Sequence, residues 1–188
     1  MTTPQSHTPA PTRVAVLVGS LRADSLNRRI AETLRDQAPA DVTVTLVEGL
    51  EQVPFYNEEL DGADVPAPAQ RLRDQVAAAD RVLAVTPEYN GTMPAVLNNA
   101  LDWLSRPYGA GALLGKPFAV LGVTPTPYGG KWAHEDANRS AKVAGAQVLE
   151  HLTVSQSAVD VDVFDESVLA RLRSVLDGLV AHEDADAA

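Results

Sequence analysis

The chain has 188 residues, no cysteine and a net charge of −10. This length suits one α/β domain with a full hydrophobic core. The absence of cysteine excludes disulfides, thiolate metal sites and cysteine nucleophiles, while the acidic balance argues against nucleic acid or an anionic membrane as partner.

Residues 1–12 are polar and proline-rich, which predicts a disordered arm rather than a secretory signal. No apolar run approaches transmembrane length, so we expect a cytoplasmic protein that does not contact a membrane. Residues 13–18, an arginine followed by five apolar residues, predict the first buried strand. Residues 26–38 carry apolar side chains at helical spacing, and Asp24 or Ser25 can cap the predicted helix.

The second and third strands are predicted at residues 42–47, which alternate in polarity, and at residues 82–85, which are wholly apolar. A long polar connection and a helix over residues 69–79 separate them. Pro94 opens a further helix that ends near Ser105, since a missing N–H costs nothing at a first helical position. The chain therefore continues as strand, helix, strand, helix.

The remaining elements repeat this alternation. We predict a strand over residues 117–123, a helix over 131–146, a short mixed strand over 148–154 and an amphipathic closing helix over 165–181. One domain over residues 13–182 contains all of them, and residues 183–188 form an acidic tail.

Alternation of strands and helices indicates parallel strands joined by right-handed crossovers. Five parallel strands with helices on both faces predict an α/β, flavodoxin-like three-layer sandwich with strand order 2-1-3-4-5. The switch point of that order lies between the first and third strands. Three loops, residues 19–27, 87–94 and 124–130, should therefore converge on one crevice, where ligands bind in such sheets.

The first loop carries polar groups suited to a phosphate. It precedes a helix N-terminus, where free backbone N–H groups and the helix dipole attract anions. Ser20, Ser25, Asn27 and Arg22 add hydroxyl, amide and guanidinium donors. The alternative is a purely structural loop in which Asp24 and Ser25 cap the helix and Arg22 points to solvent.

The second loop is enclosed by two prolines. Pro87 cannot donate to a strand ladder and ends the strand, while Pro94 begins the next helix. Between them lie Tyr89, the amide of Asn90 and flexible Gly91. A rigid loop of this kind at a strand's carboxyl end favours a ligand site, and the alternative is an ordinary strand-to-helix turn.

Two segments of the sequence, residues 19–27 and 87–103, together resemble the NADPH-dependent FMN reductase family. This flavodoxin-like group includes quinone, chromate and azo-dye reductases. The likeness extends from residue 13 to about residue 154, and its second motif is the longer and more specific.

The resemblance implies a set of cofactor contacts at the switch point. The FMN phosphate would be held by Ser20, Arg22, Ser25, the backbone N–H of Leu26, and Asn27. The isoalloxazine would be lined by Pro87, Glu88, Tyr89, Asn90 and Gly91, with Thr124 near the ring. The third loop departs from the family pattern, because Pro125, Pro127 and Tyr128 stand where relatives have a small, glycine-rich run.

The resemblance also implies an activity, in which hydride passes from NADPH or NADH through FMN to a small acceptor such as a quinone, flavin, azo dye or chromate. The implied assembly is a homodimer or homotetramer. Two alternatives stay open: an electron-carrier flavoprotein without direct NAD(P)H oxidation, and a flavin-free relative whose ring site is blocked by residues 125–128.

Four other residues have more ordinary interpretations. Trp103 can be a core residue or an interface residue, and Glu88 can fix its loop, pair across an interface or act as an acid. His134 and His151 lack partners at metal-ligand spacing, so no metal site is expected.

Overall fold

The computed structural model describes residues 10–183. Residues 1–9 and 184–188, which include most of the predicted arm and tail, lie outside the described part. The elements are β1 (Thr12–Val18), α1 (Leu26–Asp36), β2 (Val42–Leu46), α2 (Ala67–Ala77), β3 (Arg81–Val85), α3 (Ala95–Leu104), β4 (Pro117–Thr124), α4 (Lys131–Val143), β5 (Gln147–Val148), β6 (Val154–Ser157) and α5 (Glu166–Val180). Thr12 thus belongs to the first strand, and the single-domain assignment of residues 13–182 stays a prediction.

The sheet is parallel and its main path runs β2-β1-β3-β4-β5, so the predicted order is confirmed. The predicted count of five strands is wrong, because the strand expected over 148–154 is divided into β5 and β6. A 3₁₀ turn at Glu150–Leu152 separates the two pieces, and both pair with β4. The mixed polarity of this segment is consistent with a strand that is interrupted rather than continuous.

Helices cover both faces of the sheet, as a three-layer sandwich requires. On one face, α2, α3 and α4 pack against residues such as Leu17, Ala84 and Phe118. On the other face, α1 and α5 pack against Val16 and Leu83. Because successive strand side chains point to opposite faces, the apolar runs of β1, β3 and β4 supply both cores.

The long connection between β2 and α2 is fixed to α3 by hydrogen bonds. Trp103 is fully buried, and its Nε1 donates to the carbonyl of Pro54 at 2.8 Å. Asn99 accepts from the N–H of Tyr56 and donates to the same Pro54 carbonyl. Of the two interpretations given to Trp103, the structure supports the core role.

The described helices include none that is both long and apolar enough to cross a membrane.

Candidate active site

The first loop begins beside the end of β3, the strand from which the second loop starts. The N–H of Gly19 donates to the carbonyl of Val85 at 2.9 Å. A Cβ atom on Gly19 would lie 2.2 Å from Oγ1 of Thr86, so no side chain fits at this position. The close approach of Thr86 therefore requires glycine where the chain leaves β1.

The start of α1 presents polar groups, and the one carboxylate next to its N-cap, that of Asp24, is exposed. Ser25 is the N-cap, and its side chain accepts from the N–H of Arg28 at 3.2 Å, which confirms one of the two predicted caps. The first turn of the helix contains no acidic residue. Ser20 in the preceding loop is buried, while Arg22 lies exposed. Free N–H groups and a nearby guanidinium make this end of the helix attractive to an anion.

Asn27 has a partner that the sequence did not indicate. Its buried side chain donates to the carbonyl of Val123 and accepts from the N–H of the same residue, each at 2.9 Å. The last paired residues of β3 and β4 are Val85 and Leu121, so Val123 lies two residues beyond this pairing. Asn27 thus supplies the hydrogen bonds that a neighbouring strand would otherwise make, and it ties the first loop to the start of the third.

The second loop is a tight hairpin. Tyr89 and Thr92 exchange two backbone hydrogen bonds of 3.0 and 3.1 Å. Asn90 and Gly91 between them have φ values of 52° and 75°, as a type I′ turn requires. The turn is exposed, and the Tyr89 side chain retains 44% of its surface accessible. Backbone groups and one aromatic ring are therefore presented at the crevice.

Glu88 fixes this loop to α4. Its Oε2 accepts from the backbone N–H groups of Trp132 and Ala133, at 3.0 and 3.2 Å. A carboxylate at a helix N-terminus satisfies otherwise unpaired donors and complements the helix dipole. Of the roles considered for Glu88, the structure shows the one that fixes the loop.

Tyr128 of the third loop and Trp132 of α4 form an aromatic pair beside the second loop. Tyr128 and Trp132 have ring centroids 4.7 Å apart and keep 61% and 42% of their surfaces exposed. Thr124 is buried, and its hydroxyl bonds that of Thr126 at 2.9 Å. The Tyr128 ring packs on Trp132 instead of being buried between the loops, so it does not fill the crevice in the way the flavin-free alternative supposes.

His134 has no function in the sequence analysis, yet the structure places it between the end of β3, β6 and the third loop. It is fully buried, with Nε2 3.0 Å from the carbonyl oxygen of Thr86 and Nδ1 2.7 Å from Oγ of Ser155. Burial lowers the pKa of its imidazole, and the backbone bond to Thr86 and the charge of Glu88 oppose this effect. Gly122 and Gly130 pack against the ring, and these two glycines are the feature of the sequence that could have indicated a buried role for His134.

A separate pocket of about 550 Å³ lies at the carboxyl ends of α3 and α4, away from the loops that precede these helices. Asp102, Arg106 and Arg139 are among its lining residues. Burial raises the pKa of the Asp102 carboxyl, and the charge of Arg106 opposes the shift.

Comparisons with known proteins agree with this geometry. The model of the family described as NADPH-dependent FMN reductase matches residues 12–160. A quinone reductase from Pseudomonas putida is 44% identical over 127 residues, 68% of each chain. A 2-hydroxy-1,4-benzoquinone reductase from Burkholderia is 46% identical over 112 residues, 60% of each chain. Among solved structures, a flavoenzyme NAD(P)H:acceptor oxidoreductase from Paracoccus denitrificans superposes with a TM-score of 0.79 at 32% identity, covering 90% of this chain and 95% of that one.

Proposed function

Since this chain belongs to the NADPH-dependent FMN reductase family, we infer that it transfers hydride from NAD(P)H, through FMN held by the three loops, to small quinone-like acceptors. The observation that carries this proposal is that the first loop is bonded to the ends of β3 and β4, where the other two loops start, at the switch point of the sheet. When bound, FMN supplies the two-electron chemistry that no side chain of this protein can provide.

The donor set of the first loop fits the phosphate of FMN. Ser20, Arg22, Ser25 and Asn27, together with the backbone N–H of Leu26, lie around the N-terminus of α1. The first turn of the helix has no acidic residue, and the carboxylate of Asp24, directly before the N-cap, is exposed to solvent. We assign Ser25 a double role, because its oxygen caps the helix and its hydroxyl hydrogen is still available for a phosphate oxygen.

The second loop fits the flat ring system. Residues Pro87 to Gly91 offer a short, rigid stretch of backbone whose N–H groups can bond to the ring edge and stabilise negative charge there. Glu88 and the type I′ turn hold this stretch in place before any ligand arrives. Thr124 faces the crevice from the neighbouring strand end in this assignment, and Tyr89 borders the open side of the ring.

The exposed pair of Tyr128 and Trp132 supports an aromatic acceptor. Both rings stand beside the Glu88 loop, since the backbone of Trp132 bonds to Glu88. Planar quinones gain from offset stacking on such rings. The resemblance to two curated quinone reductases points to the same acceptor class.

A homodimer or homotetramer is the assembly we propose. Tyr108, Leu114 and Val143 surround the pocket at the ends of α3 and α4, and the first and last expose 91% and 82% of their surfaces. Apolar groups concentrated at one place on a surface mark interaction sites. We place the enzyme in the cytoplasm, where its NAD(P)H co-substrate is available.

The test is a visible spectrum of the purified protein, reconstituted with FMN, before and after anaerobic addition of NADPH. We expect a flavin absorption band that bleaches with NADPH and returns when a benzoquinone is added. Bound flavin that NADPH does not bleach would instead indicate an electron carrier. Protein that takes up no FMN would refute the assignment of the three loops.

A further inference from the structure

His134 connects α4 to the strand ends that carry the proposed flavin site. It lies within the first turns of α4, and its two ring nitrogens contact elements that are distant in sequence. Nε2 reaches the carbonyl of Thr86, which is 48 positions earlier, and Nδ1 reaches Ser155, which is 21 positions later. One fully buried ring therefore joins the end of β3, the start of α4 and β6.

The chemistry of these partners determines the tautomer of the ring. A backbone carbonyl can only accept a hydrogen bond, so Nε2 carries the hydrogen and donates to Thr86. The neutral imidazole then has an unprotonated Nδ1, which accepts from the hydroxyl of Ser155. Both nitrogens are satisfied without a charge in the core.

Two glycines provide the space for this ring. A Cβ on Gly122 of β4 would lie 2.6 Å from Nε2 of His134 and 1.8 Å from the carbonyl oxygen of Thr86. A Cβ on Gly130 would lie 3.1 Å from the ring carbon Cε1, and its φ of 92° is itself unfavourable for other residues. Larger residues at either position would push the imidazole away from the carbonyl that it binds.

The first turns of α4 hold the second loop at three points. His134 binds Thr86, the residue directly before the loop, the helix N–H groups bind Glu88, and Asp136 accepts from the hydroxyl of Thr92 at 2.6 Å. The contact from His134 is buried, whereas those to Glu88 and Thr92 reach solvent. A buried hydrogen bond is not weakened by competing water, so the His134 contact restricts the loop most strongly.

We propose that His134 is a positioning residue for the flavin site: by donating from Nε2 to the Thr86 carbonyl, it fixes the backbone that enters Pro87–Gly91. The inference rests on the proposed function, because the loop must hold FMN for its position to matter. His134 itself contacts no ligand, since Thr86 lies between its ring and the loop. Its loss should therefore change flavin affinity and the flavin's environment without removing any flavin contact.

The test compares two substitutions of His134 with a matched control. His134→Leu removes the donor, whereas His134→Gln retains an amide N–H that can reach the same carbonyl. His151→Gln makes the same chemical change at an exposed position of the 3₁₀ turn. For each purified protein, FMN affinity is measured by fluorescence titration, and the flavin environment by visible circular dichroism.

We expect His134→Leu to weaken FMN binding about tenfold, the loss that corresponds to one hydrogen bond, and to alter the visible dichroism. His134→Gln should recover most of both properties, and His151→Gln should match the wild type. Nitrogen NMR of the wild-type protein should show the His134 imidazole with Nε2 protonated and Nδ1 unprotonated. Should His134→Leu fail to fold, Ser155→Ala should weaken FMN binding in the same direction.

Three results would overturn the proposal. The first is unchanged flavin affinity and dichroism in His134→Leu, or in Ser155→Ala if the leucine variant does not fold. The second is an equal loss in the leucine and glutamine variants, which would assign the effect to ring shape instead of the donor. The third is an NMR spectrum of the wild-type protein in which the His134 imidazole is protonated at Nδ1. Wild-type protein that binds no FMN would instead refute the proposed function itself.

Discussion

Truncation of Asn27 to alanine should destabilise the protein even when no ligand is present. The side chain makes two buried 2.9 Å hydrogen bonds to the N–H and carbonyl of Val123. Alanine leaves both backbone groups buried without these partners, and each such group costs about 1–3 kcal/mol. The expected loss is therefore about 2–6 kcal/mol, a large part of the roughly 5–15 kcal/mol that stabilises a typical domain.

The measurement is urea unfolding of flavin-free protein, followed by tryptophan fluorescence and circular dichroism. Asn98→Ala is the matched control, because Asn98 is exposed on α3 and its side chain makes a long hydrogen bond of 3.4 Å to the Asp102 carboxylate. We expect the control to stay within about 0.5 kcal/mol of wild type. In thermal unfolding, the smallest predicted loss for Asn27→Ala corresponds to a fall in Tm of at least about 4 °C.

An Asn27→Ala protein with wild-type stability and impaired FMN binding would refute this reasoning. It would mean that the side chain contributes only to phosphate binding, and that water forms the hydrogen bonds to the N–H and carbonyl of Val123 in its place. A fall in both stability and affinity would show that the same residue connects β4 to the phosphate loop.

Arg22→Ala should weaken FMN binding about 10- to 150-fold, as expected for loss of a charged hydrogen bond, and Arg22→Lys should weaken it less. The stability of flavin-free Arg22→Ala should be unchanged, since the side chain is exposed; unchanged affinity would argue against the phosphate assignment. The free energy of unfolding should fall as the pH drops below 6.5, because burial lowers the pKa of His134 from that value and the unfolded chain binds the proton more readily. The carboxylate of Glu88 opposes this shift, and His134→Gln should flatten the pH profile; an unaltered profile would contradict the expectation. Gly91→Val should cost about 1–3 kcal/mol of stability, since φ at Gly91 is 75°, and should reduce flavin content. The control Gly62→Val lies in open space without a positive φ, so equal losses in both proteins would show that backbone strain is not the cause.

The sheet and the meeting of its loops could be predicted because both follow from simple periodicities. Residues 82–85 are wholly apolar, which indicates a strand buried on both faces, and Pro87 ends it. Once the strands alternate with helices, handedness leaves few possible orders. The predicted crevice then required no knowledge of side-chain contacts.

The contacts within the site could not be predicted, because they join residues far apart in the chain. Asn27 was predicted as a phosphate donor, yet its side chain bonds to Val123, 96 positions later. His134 was considered only as a metal ligand, and its structural partners follow no local pattern. Both cases concern buried polar groups, whose partners depend on the packed structure instead of on spacing.

The divided fifth strand affects how copies of this protein meet in a concentrated solution. A long, flat outer strand exposes unpaired N–H and carbonyl groups on which a second molecule can add its own strand. Here the edge of the sheet beside β4 consists of two residues in β5 and four in β6, interrupted by the 3₁₀ turn at Glu150–Leu152. Neither piece is long enough to template a continuous ladder. Joining them into one regular strand should therefore favour aggregation, even if the catalytic end of the sheet were unaltered.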